Sequence, residues 1–200
     1  MSSDEKQLEV IRVKVSREQT VQNRERIIDT AAQLFRERGF EGIGVADLMK
    51  EAGLTHGGFY GHFSSKEDLI TEASARALMR SLARFTKVAE RAPSDPLPAI
   101  ASAYLTSRHR DKPGEGCLLA ALGSDVSRQG PTVRRAVTDH LRSAVDLLAT
   151  LIPGKSKAAR RQKAISTYAT LVGAMVMARA VHDRALSQEI LEAGLASVKT

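Results

Sequence analysis

The chain lacks the sequence features of disulfide-linked and membrane-spanning proteins. Cys117 is the only cysteine among 200 residues, so no internal disulfide can form, and this fits a reducing cytoplasm. Tryptophan is absent. No stretch of 18 consecutive apolar residues occurs, and the polar residues 1–6 lack the features of a signal peptide. We therefore predict a cytoplasmic protein with no membrane segment.

Motifs of catalysis and cofactor binding are also missing. The sequence contains no G-x-S-x-G elbow, no H-E-x-x-H helix, no Walker loop and no cysteine cluster for a metal. His109 and His140 are candidates to meet Cys117 in space, but no spacing indicates such a site. We predict no enzyme activity, no metal site and no cofactor.

Charge of one sign is not concentrated at the N-terminus. The net charge is +7, yet residues 12–66 carry nine basic and seven acidic residues, and most of the excess lies in residues 67–200. Bulk basicity therefore supports a polyanionic partner only weakly, and the functional argument depends on motifs.

What the chain does contain is helical periodicity, with no alternating strand pattern and no repeat. Ile27, Ala31, Leu34 and Phe35 lie on one side of a first helix predicted at about residues 20–38. Breaks are predicted at the proline-rich stretch 93–98, at Gly130-Pro131 and at Pro153-Gly154. Later helices are predicted at about 97–108, 117–126, 157–184 and 187–199. The fold class is all-α, with a flexible arm at 1–20, a three-helix helix-turn-helix head at 21–81, and a larger helical domain at 82–200.

The stretch 45–63 has the pattern of two short helices joined by a tight turn. The apolar face of the first helix is formed by Val45, Leu48 and Met49. Gly53 stands where a left-handed C-cap belongs, and Thr55 can cap the second helix. Phe59 and Phe63, four residues apart, are predicted to pack that helix against the first helix of the head. Two helices joined in this way form a helix-turn-helix, whose second member enters the major groove of DNA.

This segment resembles the DNA-binding head of the tetracycline-repressor (TetR) family. The resemblance is carried by Ala52-Gly53-Leu54-Thr55, by Phe59-Tyr60-Gly61-His62-Phe63, and by Lys66 just after the predicted N-cap Ser65. It covers about residues 21–81. The resemblance implies a homodimeric transcription regulator that binds a double-stranded DNA operator, in most cases a repressor. A small molecule, an electrophile or an oxidant would be the effector that releases it.

The predicted DNA contacts are Thr55, His56, Gly57, Tyr60, His62 and Lys66. The first three lie at the end of the second helix that would enter the groove. His56 can offer a donor or an acceptor to a base edge, whereas the last three are predicted to face the sugar-phosphate backbone.

The chain departs from the family pattern just before and within the first helix of the motif. Ile43 and Gly44 stand where many members have hydroxyl residues, and Ala46 replaces a commonly polar residue. Gly44 is an acceptable N-cap, but it offers no side-chain oxygen to a phosphate.

The two C-terminal helices are predicted to form a dimer interface. The penultimate helix has two apolar stripes, and a helix that is apolar on two sides needs two partners. The interface is predicted to contain Leu171, Ala174, Ala178, Val181, Leu191 and Leu195. Small residues there allow another helix to approach closely, which favours a symmetric four-helix interface. A monomer in which the penultimate helix is wholly internal is the alternative.

The resemblance also implies a pocket for a small-molecule effector in the C-terminal domain. Its candidate lining residues are Phe85, Tyr104, Leu105, Cys117, Leu118, Leu122, Leu141 and Met175, each of which also suits plain core packing. Cys117 follows a Gly-rich loop and is predicted at a helix N-terminus near Arg108, His109 and Arg110, where the thiolate form is favoured. An oxidant- or electrophile-sensing thiol is one hypothesis, and an inert buried thiol is the other.

A helical small-molecule-binding or adaptor protein without DNA binding is the alternative function for the same all-α pattern. Weak salt dependence of binding to every duplex would favour this alternative. The helix-turn-helix motif favours the regulator.

Overall fold

A computed structural model describes residues 17–154 and 156–199, and within them the chain is all-α, as predicted. The α-helices are α1 Arg17–Arg38, α2 Val45–Glu51, α3 Lys66–Arg91, α4 Pro96–Tyr104, α5 Ser107–Asp111, α6 Leu118–Val126, α7 Pro131–Thr150, α8 Lys157–Ala180 and α9 Arg184–Lys199. Two short 3₁₀-helices, His56–Gly61 and Pro113–Glu115, complete this part of the chain. No helix in these ranges combines the length and apolar character needed to cross a bilayer.

The helix ends of the N-terminal part follow the local signals in the sequence. Gly39 after α1 and Gly53 after α2 have φ of 83° and 70°, the left-handed region that favours glycine. Ser65 caps α3, its hydroxyl accepting a hydrogen bond from the Asp68 amide at 3.1 Å. Helix α1 begins at Arg17, so residues 17–20, assigned to the flexible arm, are helical. The rest of that predicted arm lies outside the described residues.

The segment between α4 and α6 differs from the prediction. Helix α4 ends at Tyr104 rather than near residue 108, because Thr106 starts a new helix by accepting a hydrogen bond from the His109 amide at 3.1 Å. The Gly-rich loop predicted before Cys117 is largely the second 3₁₀-helix. Similarly, α8 stops at Ala180 and α9 begins at Arg184.

Two apolar cores divide the molecule, and α3 contributes to both. The first core joins α1, α2 and the first half of α3 to Leu118 and Leu122 of α6 and Val133 and Val137 of α7. The second core lies between the end of α3 and helices α4, α7, α8 and α9. The head therefore does not form its core alone, because α6 and α7 of the C-terminal part complete it.

Several residues predicted to form the dimer interface lie inside the chain. Leu171, Ala174, Ala178 and Leu191 are buried in the second core, while Val181 and Leu195 are half-buried. The small residues serve contact between α8 and α9 of one chain, because a Cβ added at Gly194 would lie 2.8 Å from the Cβ of Ala174. The first four are thus core residues rather than exposed interface residues.

A different side of α8 is apolar and exposed. Ile165, Ala169 and Val176 are exposed and Val172 is half-buried, at a spacing that places all four on one helix face. We call these four residues the outer α8 face. Leu186 of α9 is also exposed.

Candidate nucleic-acid interface and ligand pocket

The turn after α2 is fixed by backbone hydrogen bonds. The amides of Gly53 and Leu54 donate to the carbonyls of Lys50 and Met49, each at 2.9 Å. This hydrogen-bonding pattern, with glycine in the left-handed conformation, closes the end of α2 and redirects the chain. The segment from residue 55 onward consequently leaves α2 at a defined angle.

The second helix of the motif is anchored by Phe59 and Phe63, as predicted. Both side chains are buried, and their rings stack with centroids 5.6 Å apart. The Arg24 guanidinium of α1 lies 4.9 Å from the centre of the Phe63 ring, and Arg24 also pairs with Glu72 of α3. Helices α1 and α3 thus both help to hold this short helix in place.

This second helix is a 3₁₀-helix of six residues rather than the expected α-helix. Three of its residues are Gly57, Gly58 and Gly61, each of which disfavours an α-helix by roughly 1 kcal/mol relative to alanine. Thr55 occupies the N-cap position but its hydroxyl makes no capping hydrogen bond. The Thr55 side chain therefore remains available for an external partner.

Four of the six predicted DNA contacts form one exposed edge. Thr55, His56, Gly57 and Tyr60 are all exposed, Tyr60 by 69%. The His56 and Tyr60 rings meet edge to face at 6.4 Å. A Cβ added at Gly57 would have no neighbouring atom within 4 Å, so packing within the chain does not require glycine there. We call these four residues the exposed edge.

His62 and Lys66 are set apart from that edge. His62 is half-buried, and its Nδ1 atom has no hydrogen-bond partner among the described residues. The Lys66 ammonium lies 3.2 Å from a carboxylate oxygen of Glu41. Such an exposed ion pair contributes about 0–1 kcal/mol, so a phosphate can compete for Lys66 at little cost.

The residues that depart from the family pattern have structural roles. Ile43 is buried in the first core, and Gly44 is the N-cap of α2 without a side-chain hydrogen bond. A Cβ at Gly44 would meet no atom within 4 Å. The backbone before α2 therefore borders open space.

Sequence reasoning missed the ionic contacts that hold α1 against α3. Arg76 pairs with Glu25 at 2.5 Å and with Asp29 at 2.7 Å, and Arg80 pairs with Asp29 at 2.8 Å. These pairs raise the pKa of Arg76. The signal was present in the sequence, because two acidic residues and two basic residues each recur at a spacing of four.

A cavity of about 400 Å³ opens between α3, α4 and the segment 106–117. Of the predicted lining residues, Phe85, Tyr104 and Cys117 border it. Leu105, Leu118, Leu122 and Met175 are instead buried in the two cores, and Leu141 on α7 is 37% exposed. Apart from Arg108, which was predicted near Cys117, the prediction missed the basic side chains that line the cavity, namely Arg84, Lys87, Arg91 and Lys112.

Cys117 occupies the predicted position before α6 and contacts His109, one of its three predicted neighbours. Its side chain is buried and its amide donates to Nε2 of His109 at 2.9 Å, while Nδ1 of His109 lies 2.7 Å from the Tyr104 carbonyl. These contacts assign the His109 proton to Nδ1. Burial lowers the pKa of His109 to about 4, so its ring is neutral at pH 7. Arg108 and Arg110 pair with Glu115 and Asp111 instead.

Two guanidinium groups from other helices, Arg36 of α1 and Arg179 of α8, bind the segment that precedes Cys117. Arg36 donates through Nε to the Gly114 carbonyl at 3.1 Å, and Arg179 donates through Nε to the Arg110 carbonyl at 3.1 Å. In each guanidinium, Nη1 is buried without a hydrogen-bond partner among the described residues. Burial, followed by the charge of Arg84, lowers the pKa of Arg36 to about 10. Within residues 17–154 and 156–199, no carboxylate is hydrogen-bonded to either guanidinium.

The exposed edge and the helical body together define a helix-turn-helix regulator. Residues 27–73 match the family described as "Bacterial regulatory proteins, tetR family". The chain therefore carries the N-terminal domain of the TetR family of DNA-binding transcription regulators.

The similarity to individual relatives extends over most of the chain. The repressor NemR of Escherichia coli K12 is 28% identical over 88% of this chain and 92% of its own length. The crystal structure of E. coli NemR in its reduced form covers 89% of this chain and 96% of that one, at a TM-score of 0.74. The uncharacterized HTH-type transcriptional regulator YerO of Bacillus subtilis is 33% identical, but the match spans 34% of this chain and 24% of YerO.

Proposed function

We propose that the chain is a transcriptional repressor of the cytoplasm, a binding protein rather than an enzyme. The exposed edge of Thr55, His56, Gly57 and Tyr60 carries this proposal, because it presents polar groups and bare backbone on a rigid support. His56 and Thr55 would read base edges, whereas Tyr60, His62 and Lys66 would contact the backbone. Residues 21–81 form the DNA-binding domain in this proposal, and residues 82–200 form the effector-binding and dimerisation domain.

The repressor would act as a symmetric homodimer. The outer α8 face is apolar and exposed, and a two-fold axis would place it against its own copy. Leu186 of α9 is a further exposed apolar residue. Two heads reading one face of B-DNA must lie about 34–36 Å apart, the length of one helical turn.

A contact between pocket and head supports release of DNA by an effector. Gly116 and Cys117 line the cavity, while Gly114, two residues earlier, holds Arg36 of α1 through its carbonyl. The fit is close, because a Cβ at Gly114 would lie 2.1 Å from a carboxylate oxygen of Glu37. An effector that moves this segment would therefore shift α1, and DNA is released if the effector binds the shifted state more tightly.

Cys117 is proposed as an electrophile- or oxidant-sensing thiol at the floor of that cavity. The thiol borders the cavity, and Arg36 and Arg179 bind carbonyls of the segment 110–114 that leads to it. When the thiol adds across the activated double bond of a quinone, an S–C bond forms and the thiol proton passes to the quinone. The added group would occupy the cavity and displace the segment that binds Arg36.

Footprinting on the DNA that flanks its own gene tests the proposal. A protected, salt-sensitive site is expected, with two half-sites one turn apart, and a quinone is expected to remove the protection. The Cys117→Ser variant should protect the same DNA but keep it protected in the presence of quinone. Loss of protection in both proteins would overturn the sensing thiol. Salt-insensitive binding to every duplex would favour the adaptor without DNA binding.

A further inference from the structure

The cavity beside Cys117 has apolar walls. Phe85 and Tyr104 meet edge to face with ring centroids 6.0 Å apart, and Val88, Ile100 and Ala103 also border the space. A volume of about 400 Å³ falls within the usual range for small-molecule sites, roughly 300–1,000 Å³. The walls thus suit an apolar body the size of one or two fused rings.

The floor of the cavity is closed by Tyr104 and Cys117, both of which are buried.

The rim of the cavity is strongly basic. Its cations are Arg84, Lys87 and Arg91 of α3, together with Arg108 and Lys112 from the opposite side. Glu115 is the one carboxylate among the described lining residues, and it already pairs with Arg108 at 2.8 Å and Lys112 at 3.6 Å. Lys87 and Arg91, one helical turn apart, form no ion pair within residues 17–154 and 156–199. The α3 side of the rim therefore carries positive charge that no carboxylate among the described residues neutralises.

We infer that the effector is an organic anion with an apolar body, whose charged group lies between Lys87 and Arg91 and whose body lies between Phe85 and Ile100. This inference rests on the proposed function, because it specifies what the proposed effector pocket accepts. A carboxylate suits the site best, since its oxygens can accept hydrogen bonds from both side chains.

A matched pair of probes isolates the charge. 2-Naphthoate and methyl 2-naphthoate share ring and carbonyl, and only the first is an anion. Naphthalene fluorescence is well suited here because the chain has no tryptophan. We expect 2-naphthoate to bind about tenfold more tightly than its ester in 50 mM NaCl, and this preference to shrink in 300 mM NaCl.

Three variants locate the binding. Lys87→Gln/Arg91→Gln should weaken 2-naphthoate about tenfold and leave the ester within twofold of its parent affinity. Arg134→Gln/Arg135→Gln removes the same charge from exposed residues of α7 outside the cavity and should leave both probes unchanged. Ala103→Phe, which fills the cavity, should weaken both probes.

The outcomes separate this inference from the proposed function. Equal affinity for acid and ester, an unchanged preference in Lys87→Gln/Arg91→Gln, or no binding of either probe would overturn it, even if the parent protein protects operator DNA. Conversely, a confirmed preference in a protein that protects no DNA would support the anion site and overturn the repressor.

Discussion

At the scale of single residues, the exposed edge separates two tasks in DNA recognition. His56 presents an imidazole to solvent beside Tyr60, whereas Lys66 stands one element later and is held by Glu41. Hydrogen bonds to base edges carry sequence information, and contacts with phosphates set register and affinity. Removal of the two side chains should therefore have different effects on DNA binding.

His56→Ala is expected to relax sequence preference, while Lys66→Ala weakens binding to most sequences similarly. Loss of one phosphate contact should also reduce the slope of log affinity against log salt by about 0.9. Titrations of an operator and a scrambled duplex over several salt concentrations would measure both effects. Lys163→Ala, at an exposed residue of α8, is the charge-matched control. Identical discrimination in the two head variants would contradict the division of roles.

Gly57→Ala tests whether the backbone itself approaches DNA. No atom of the chain would contact the added Cβ, so the free energy of unfolding should stay the same or rise by up to about 1 kcal/mol. Operator affinity should fall at least tenfold, because the methyl group would stand between backbone and groove. Urea unfolding and DNA titration of the same protein would show both results. Unchanged operator affinity would mean that DNA does not pass over Gly57.

At the scale of elements, the sequence predicted where helices end better than it predicted which face of a helix is buried. Gly39, Gly53 and Ser65 act on neighbours within four residues, so local chemistry sufficed to predict them. The side of α8 that meets α9 depends on distant packing. Both apolar stripes of α8 satisfied the same periodic pattern, and the one containing Leu171 turned inward. Leu141 was predicted to line the pocket because its helical spacing suits a buried side chain. Its side of α7 is instead exposed.

The junction of α4, α5 and α6 depends on the neutrality of His109. Its ring joins the Tyr104 carbonyl to the Cys117 amide, and its folded pKa of about 4 lies below the ordinary 6.5. Protonation therefore favours the unfolded chain. The stabilisation is complete above pH 6.5 and is lost as the pH falls towards 4, by roughly 2–3 kcal/mol.

Urea unfolding at a series of pH values would measure this loss. His109→Gln, which stays neutral, should show a smaller decrease between pH 6.5 and 4 than the parent. Part of the decrease should persist, because burial also lowers the pKa of His140. His182→Gln at an exposed residue is the control and should follow the parent. Equal pH dependence of the parent and His109→Gln would show that this ring does not resist protonation.

At the scale of the whole molecule, α3 connects the head with the pocket. Its 26 residues span about 39 Å, with the first half in the head core and the second half along the cavity. Segment 113–117 makes a second connection through Arg36. A displacement at the cavity thus reaches the head by two routes, and pairing of two chains would convert it into a change in the distance between heads.

Pairing itself is tested by Ile165→Glu/Val176→Glu on the outer α8 face. Both side chains are exposed in one chain, so the substitution should leave helicity unchanged. Two-fold symmetry would place four carboxylates in one interface, and burial of unpaired charge opposes association strongly. Sedimentation at micromolar concentration should therefore find a monomer, and operator affinity should fall at least 100-fold because one head binds alone. Leu141→Glu, on an exposed part of α7, should remain a dimer with parental affinity. If Ile165→Glu/Val176→Glu also sedimented as a dimer, the outer α8 face would not be the interface, and the two heads would have to be joined through another surface.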